Sequence, residues 1–279
     1  GLQASKQING ILRAYLRGER PDFDHIKDDA HRLSLKYSMP KWVIRHWFKH
    51  YSYDETEKIL AALNKRPQMY LRINKKLIDR QDLINRLNEE GYQAETSDLH
   101  EDAIKVKGQG ITRSQAYKDG LFAIQDVSSM FVQKALNPSD GDTILDACAA
   151  PGGKGMHALE SMEGGFVSFG DLHEHKIALI DNEGKRLKHT NYEAFMADAS
   201  KDDYEGTFDR IIVDAPCSGL GVVKRKPEIK YERSSETIES LVELQLEILD
   251  NVKKYLKPNG VLIYSTCTIH QLENENVAY

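Results

Sequence analysis

The chain has 279 residues, 40% of them hydrophobic and 29% charged, with a formal net charge of -5, values of an ordinary globular protein long enough for about two domains. No apolar run approaches the roughly 20 residues that span a bilayer, and no signal-peptide pattern opens it, so a cytoplasmic protein without a membrane partner is expected. Three cysteines are too few for a disulfide framework and lack the paired spacing of a zinc site, so reduced thiols and no metal are expected.

The charge is uneven. Residues 1–66 carry a net +5, residues 67–137 are neutral and residues 138–279 carry -10. A basic front joined to an acidic rear can grip a polyanion without an overall basic balance.

In chain order, residues 1–20 read as the tail of a helix, with Ile8, Ile11, Leu12, Tyr15 and Leu16 at helical spacing. Pro40 to Tyr51 opens with a helix-start proline and interleaves Trp42, Trp47 and Phe48 with Lys41, Arg45 and Lys49; the aromatics are read as core. Asp54 to Asn64 is a short helix and Met69 to Ile73 a strand, with Arg72 and Asn74 at its end. Asp79 to Glu90 is an amphipathic helix on Leu83, Ile84 and Leu87, capped by Asp79 and stopped by Gly91. Ala103 to Lys107 alternates like an edge strand, so residues 67–115 read as a small α+β module.

From Val127 the pattern becomes regular. A helix to Leu136 precedes strand Thr143 to Asp146, a glycine-rich loop, strand Phe166 to Asp171, a helix through His189, a short strand near Glu193 to Met196 and strand Phe208 to Val213. A long helix from Glu236 to Tyr255, capped by Ser234 or Ser235, stops at Lys257-Pro258-Asn259-Gly260 before strand Val261 to Ser265. Alternating strands and helices predict an α/β architecture with a doubly wound, mostly parallel sheet. The expected divisions are helices and a linker over 1–37, a helical and small α+β module over 38–126, and the doubly wound domain over 127–279.

Three segments carry chemistry. The loop Asp146 to Gly155 (DACAAPGGKG) follows a strand, and Asp171 lies about where an acid holds ribose hydroxyls. Its spacing fits neither a dinucleotide fingerprint nor a phosphate loop, because Lys154 is followed by Gly155; an adenosyl ligand without pyrophosphate is compatible. Cys148 reads from the residues alone as a small buried side chain. The run IIVDAPCSGLG presents Asp214 and Cys217 just past a buried strand, and GVLIYSTCT does the same for Cys267. A lone cysteine is usually apolar filler, but two beyond strand ends favour chemistry, and the residues alone allow either thiol to attack. Lys224, Arg225, Lys226, Lys230 and Arg233 follow directly and are read as holding phosphates beside the site.

DACAAPGGKG, DAPCSGLGVVKRKPEIKY and YSTCT, in this order, resemble the Sun family of S-adenosylmethionine-dependent RNA cytosine-5 methyltransferases. The resemblance runs from about Ser38 to the end, and residues 1–20 resemble the last part of a NusB-like RNA-binding domain. It implies a Rossmann-like sheet, S-adenosyl-L-methionine as cofactor, small-subunit ribosomal RNA as partner and a monomer. It places the cofactor segment on Cys148, Ala149, Ala150, Pro151, Gly152, Gly153 and Lys154, with contacts from Asp171, Asp198 and Asp214. It assigns the nucleophile to Cys267 and product release to Cys217, with Asp214 at the base edge. Two departures stand out. Gly155 occupies a position where the family usually has threonine, read as changing only a helix-start hydroxyl. Only 14 residues follow Ser265, short of two further strands, so a piece shortened at both ends is expected. The competing reading is a non-catalytic RNA-binding ribosome assembly factor on the same fold; intact Asp214, Cys217 and Cys267 argue against it.

Overall fold

The structure is a computed structural model describing residues 2–18 and 22–278; Gly1, Glu19 and Arg20, within the expected first helix, lie outside the described residues. Packing divides the chain after Lys65 into two units.

The first unit is helical: α1 (Leu2–Arg17), α2 (Asp29–Tyr37), α3 (Lys41–Trp47) and α4 (Tyr53–Leu63). The apolar spacing noted in α1 produces a face on which Ile8, Ile11, Leu12, Tyr15 and Leu16 are all exposed. Asp28 caps α2 by accepting from the His31 amide, and Ser52 with Glu55 forms a reciprocal capping box on α4, each satisfying amides that a helix start leaves unpaired. Trp47 is fully buried with Val43 and Ile44, as its reading as core requires; Trp42 and Phe48 are half-buried.

The second unit contains two sheets. The smaller is antiparallel, in the order β2-β3-β1-β4, built from β1 (Met69–Ile73), β2 (Gln93–Thr96), β3 (Ala103–Lys107) and β4 (Phe122–Ile124). The expectation that Ala103 to Lys107 is an edge is corrected: β3 is paired on both sides, by β2 and β1. Alternation reports which face a strand buries and says nothing about its neighbours. Helix α5 (Arg80–Glu89) covers one face through Leu83, Ile84 and Leu87. Asp79 stands at its cap position without a side-chain hydrogen bond. The short helix α6 (Gln115–Lys118) precedes β4.

Helix α7 (Val127–Leu136) leads into the larger sheet, whose order is β7-β6-β5-β8-β9 and whose pairings are all parallel. Its elements are β5 (Thr143–Asp146), α8 (Gly153–Glu160), β6 (Phe166–Asp171), α9 (Glu174–Arg186), β7 (Tyr192–Met196), β8 (Phe208–Asp214), α10 (Ile229–Glu232), α11 (Ser235–Val252) and β9 (Leu256–Ser265), with α12 (Glu275–Ala278) last. Alternate residues enter opposite layers. Ile144 and Ile212 join Met156, Phe169 and Ile180 in one core, whereas Leu145, Ile211 and Val213 join Ile248 and Val252 in the other. A sheet buried on both faces needs such near-continuous apolar strands.

Ser234 caps α11, accepting from the Thr237 amide, and the helix gives way to a tighter turn at Lys253–Tyr255. The expected stop at Lys257 to Gly260 lies inside β9 instead. Leu256 pairs with Phe208 and Val261 with Arg210, so Lys257 to Gly260 loop out opposite Asp209, whose carboxylate is 2.8 Å from the Lys257 ammonium. Proline and glycine there mark a bulge that only pairing reveals. Strand order reverses on either side of β5, so the crevice beyond its carboxyl end is where such a sheet takes a ligand.

Candidate active site

The carboxyl ends of β8 and β9 bring Asp214, Cys217 and Cys267 together. The Cys217 and Cys267 sulfurs are 2.8 Å apart, and the Cys267 amide donates to the Cys217 sulfur at 3.1 Å. A hydrogen bond from Cys217 holds the Cys267 thiol below its ordinary value, with the Lys154 ammonium contributing, while that same bond and burial push Cys217 up. The two sulfurs share one contact, and Cys267 is the more exposed of the pair. Asp214 accepts from Lys154 Nζ at 2.5 Å and from Ser265 Oγ at 3.0 Å.

Asp214 and Cys267 stand in the wall between two cavities, with Cys217 on the side of the first. One, of about 500 Å³, is lined by Cys148, Asp171, Asp198, Asp214, Pro216 and Leu244 among others. The second, of about 390 Å³, is lined by Asp126, Lys154, Asp214, Lys224, Arg225 and Thr268 among others. Both touch Cys267. A reagent in the first and a substrate in the second would meet at that sulfur.

The first cavity fits an adenosyl sulfonium. Three carboxylates, Lys176, Lys226 and small apolar side chains line it, and the carboxylates suit a vicinal diol and a sulfonium. Asp171 is buried; its Oδ2 accepts from the Ala150 amide at 3.1 Å, tying the glycine-rich loop to β6, and its Oδ1 is 3.1 Å from Lys176 Nζ. Asp198 is held near 2, chiefly by hydrogen bonds from Lys201 and Ser200. Cys148 lines the cavity, and burial raises its thiol, making it a neutral wall. Ala149 is buried and Gly152 caps α8 in the left-handed region. The Ala150–Pro151 peptide is cis.

Gly155 carries more than the absence of a hydroxyl. A Cβ there would lie 2.3 Å from the Phe169 ring and 3.0 Å from Asp146 Oδ2, so the reading of a changed helix-start hydroxyl is corrected to a steric requirement. The Gly155 amide donates to that same oxygen at 3.0 Å. Burial, with Asp214 nearby, pushes Asp146 up to about 7, and its Oδ1 has no protein partner.

The basic run divides. Lys224 and Lys226 are exposed. Arg225 pairs with Asp126 at 2.5 Å, and Arg233 Nε donates to the Ser218 carbonyl at 3.2 Å. Lys230 is only 6% exposed and burial lowers its affinity for a proton, so it is withdrawn from the phosphate-facing set. As the second residue of the single-turn helix α10 it points inward, which five basic residues in ten do not disclose.

Sequence reasoning missed the side chains beneath the thiols. Glu273 is fully buried and accepts from the Ser218 amide at 2.7 Å, from Ser218 Oγ at 2.5 Å and from Gln245 Nε2 at 3.2 Å. Gln245 also donates to the Pro216 carbonyl at 2.9 Å, and Ser218 Oγ lies 2.9 Å from Thr268 Oγ1. One carboxylate thus joins the Cys217 loop, the Cys267 loop and α11. Gly221 closes the contact: its amide donates to the Cys267 carbonyl at 3.0 Å, and a Cβ would stand 2.8 Å from that oxygen. The one signal available was a polar Gln245 on the otherwise apolar face of α11.

A five-stranded parallel sheet with this crevice and acidic lining is that of a Rossmann-like methyltransferase. The chain belongs to the family described as 16S rRNA methyltransferase RsmB/F, whose profile matches residues 133–279; residues 39–112 match the ferredoxin-like domain of RsmF/B-like methyltransferases. S-adenosylmethionine is the cofactor of this class. The chain is 41% identical to the probable ribosomal RNA small subunit methyltransferase B of Bacillus subtilis strain 168, over 98% of this chain and 62% of that protein. It is 33% identical to the ribosomal RNA small subunit methyltransferase B of Serratia proteamaculans, over 96% and 62%. The chain thus spans about 62% of the length of these relatives. Among solved structures, a methyltransferase homolog protein from Pyrococcus horikoshii superposes with a TM-score of 0.79 at 28% identity, covering 91% of this chain and 81% of that one. No helix among the described residues is long and apolar enough to cross a membrane, and no group of three or more metal-ligating side chains occurs among them.

Proposed function

We propose that the chain is the catalytic part of an enzyme that methylates carbon 5 of a cytosine in 16S ribosomal RNA through a covalent adduct on Cys267. The observation that carries this reading is the pair of sulfurs 2.8 Å apart, with Cys267 in the wall between two cavities. The names of the curated relatives support the RNA class. When bound, S-adenosylmethionine supplies a methyl group on a sulfonium, held by residues 148–154 with Asp171, Asp198 and Asp214.

Carbon 5 of cytosine is too weak a nucleophile to take that methyl unaided. The Cys267 thiolate adds to carbon 6 and forms an S–C6 bond, and the displaced π pair makes carbon 5 an enamine carbon able to attack. Asp214, steadied by Lys154 and Ser265, accepts from the exocyclic amine at the base edge and so orients the ring for attack. After methylation the carbon 5 proton passes to water, its bonding pair restores the carbon 5–carbon 6 double bond, and the S–C6 bond breaks with its electron pair returning to Cys267. Cys217 stands beside that sulfur to assist. Since carbon 6 is inaccessible in a stacked pair, the base enters the second cavity unpaired or flipped, with Lys224 on its wall near the phosphates and Lys226 on the wall of the first cavity.

The test uses the full-length protein, labelled RNA and cofactor. Cys217→Ala should add, methylate and stall as a protein–RNA species that survives a denaturing gel; Cys267→Ala should give neither adduct nor product. The opposite pattern reverses the two roles, and methylation by both variants rejects the covalent route. RNA binding without any methyl transfer by the wild type leaves the assembly-factor reading.

A further inference from the structure

The small antiparallel sheet and the methyltransferase sheet meet along a seam of buried polar groups that the catalytic reading does not use. Gly153, His157 and Glu160 recur at i, i+4 and i+7, so they share one stripe of α8, and a partner from the small module meets each. Arg72, fully buried at the end of β1, donates Nε to Glu160 Oε2 at 2.8 Å, Nη2 to Glu160 Oε1 at 2.7 Å and Nη1 to the Gly153 carbonyl at 2.6 Å. Nη1 also reaches the Gln125 side chain. One guanidinium thus holds the first and the last residue of α8, and four donors of its fixed fork are used. Between them, His157 Nε2 lies 2.8 Å from Asp102 of the module, and Lys75 Nζ is 3.0 Å from the other oxygen of that carboxylate. Burial drives His157 down to about 4, so the imidazole is neutral at ordinary pH and its Nε2 proton is donated to Asp102.

A seam built only for stability would be better apolar, since buried ion pairs seldom outperform well-packed hydrophobic residues. What a directional seam adds is a fixed rotation and axial position for α8. That helix begins at Gly153, in the cofactor loop, and its second residue is Lys154, which holds Asp214. We propose that Arg72 is a positioning residue through which the small module sets the cofactor loop and Lys154, so that the module is a working part of the cofactor site.

This inference rests on the cofactor reading above only for its affinity arm, and the experiment separates the two. Arg72→Lys keeps the charge and can still reach Glu160 but loses the fork onto Gly153 and Gln125. Amide exchange is followed on the ligand-free chain, S-adenosylhomocysteine binding by calorimetry and RNA binding by anisotropy. The expected result is faster exchange confined to residues 152–156, S-adenosylhomocysteine binding weakened about tenfold, the scale of one charge-assisted hydrogen bond, and RNA affinity within twofold. The paired variant Arg72→Met with Glu160→Met leaves an apolar seam of similar volume; it should melt near the wild-type temperature yet keep the loosened first turn and weakened binding. Unchanged exchange in Arg72→Lys, exchange loosened uniformly over both sheets, or recovery of tight binding by the methionine pair would each overturn the proposal. Failure of the wild type to bind S-adenosylhomocysteine would reject the cofactor reading instead, while the exchange data still decide whether Arg72 orders the loop.

Discussion

Replacing Glu273 by alanine tests whether one buried carboxylate holds both thiol loops. Of the three donors it accepts, Gln245 Nε2 would keep the Pro216 carbonyl and Ser218 Oγ would keep Thr268. The Ser218 amide would be left unpaired in a residue with no exposed surface. An orphaned buried donor costs about 1 to 3 kcal/mol and a lost hydrogen bond to a charged group about 1.5 to 3; the two overlap, so about 3 kcal/mol is expected. For a chain of this size that is a fall in melting temperature of roughly 6 to 12 °C. Glu273→Gln keeps one acceptor for the Ser218 amide and should lose about 1 kcal/mol. Scanning calorimetry reads the first effect. The second readout is alkylation by iodoacetamide followed by peptide mass mapping, in which Cys217 should react faster in Glu273→Ala as its loop loosens. A melting temperature within 2 °C of wild type, with the alkylation rate unchanged, would refute the reasoning.

Asp146 has a folded value raised to about 7 from 3.8, so its contribution to stability is present below about pH 4 and lost as pH rises through 7. Asp146→Asn should remove that loss and gain on the order of 4 kcal/mol relative to wild type at pH 8 over pH 4, read by urea denaturation at the two pH values. Lys224→Ala with Lys226→Ala should reduce the slope of log affinity against log salt by about 1.5, whereas Lys230→Met should leave it unchanged; salt-titrated anisotropy with single-stranded RNA reads both. Gly221→Ala forces a Cβ toward the Cys267 carbonyl and should cut kcat about tenfold or more while cofactor affinity stays within twofold, as steady-state kinetics and calorimetry will register.

The central strands β5, β6 and β8 were legible because burial on both faces makes their interior runs apolar, and the loops after β5, β8 and β9 because chemistry gathers where such runs end. What was not legible depends on partners distant in sequence. Glu273 reads as one more acid in an acidic tail until Ser218 is folded against it. Lys230 shares the composition of its neighbours and differs only in the direction α10 turns it. Strands β2 and β4, of four and three residues, are too short to carry a period, and Arg72 looks like a strand-end charge until α8 supplies Glu160.

The 2.3 Å approach between a Cβ at position 155 and the Phe169 ring also bears on how such sequences diverge. Gly155 and Phe169 share one space in this core. Threonine at 155 on its own would press on the buried Phe169 ring, so Gly155→Thr alone should destabilise the chain unless Phe169 is also made smaller. Chimeras that graft a relative's glycine-rich loop onto this scaffold therefore need the matching residue from β6 as well.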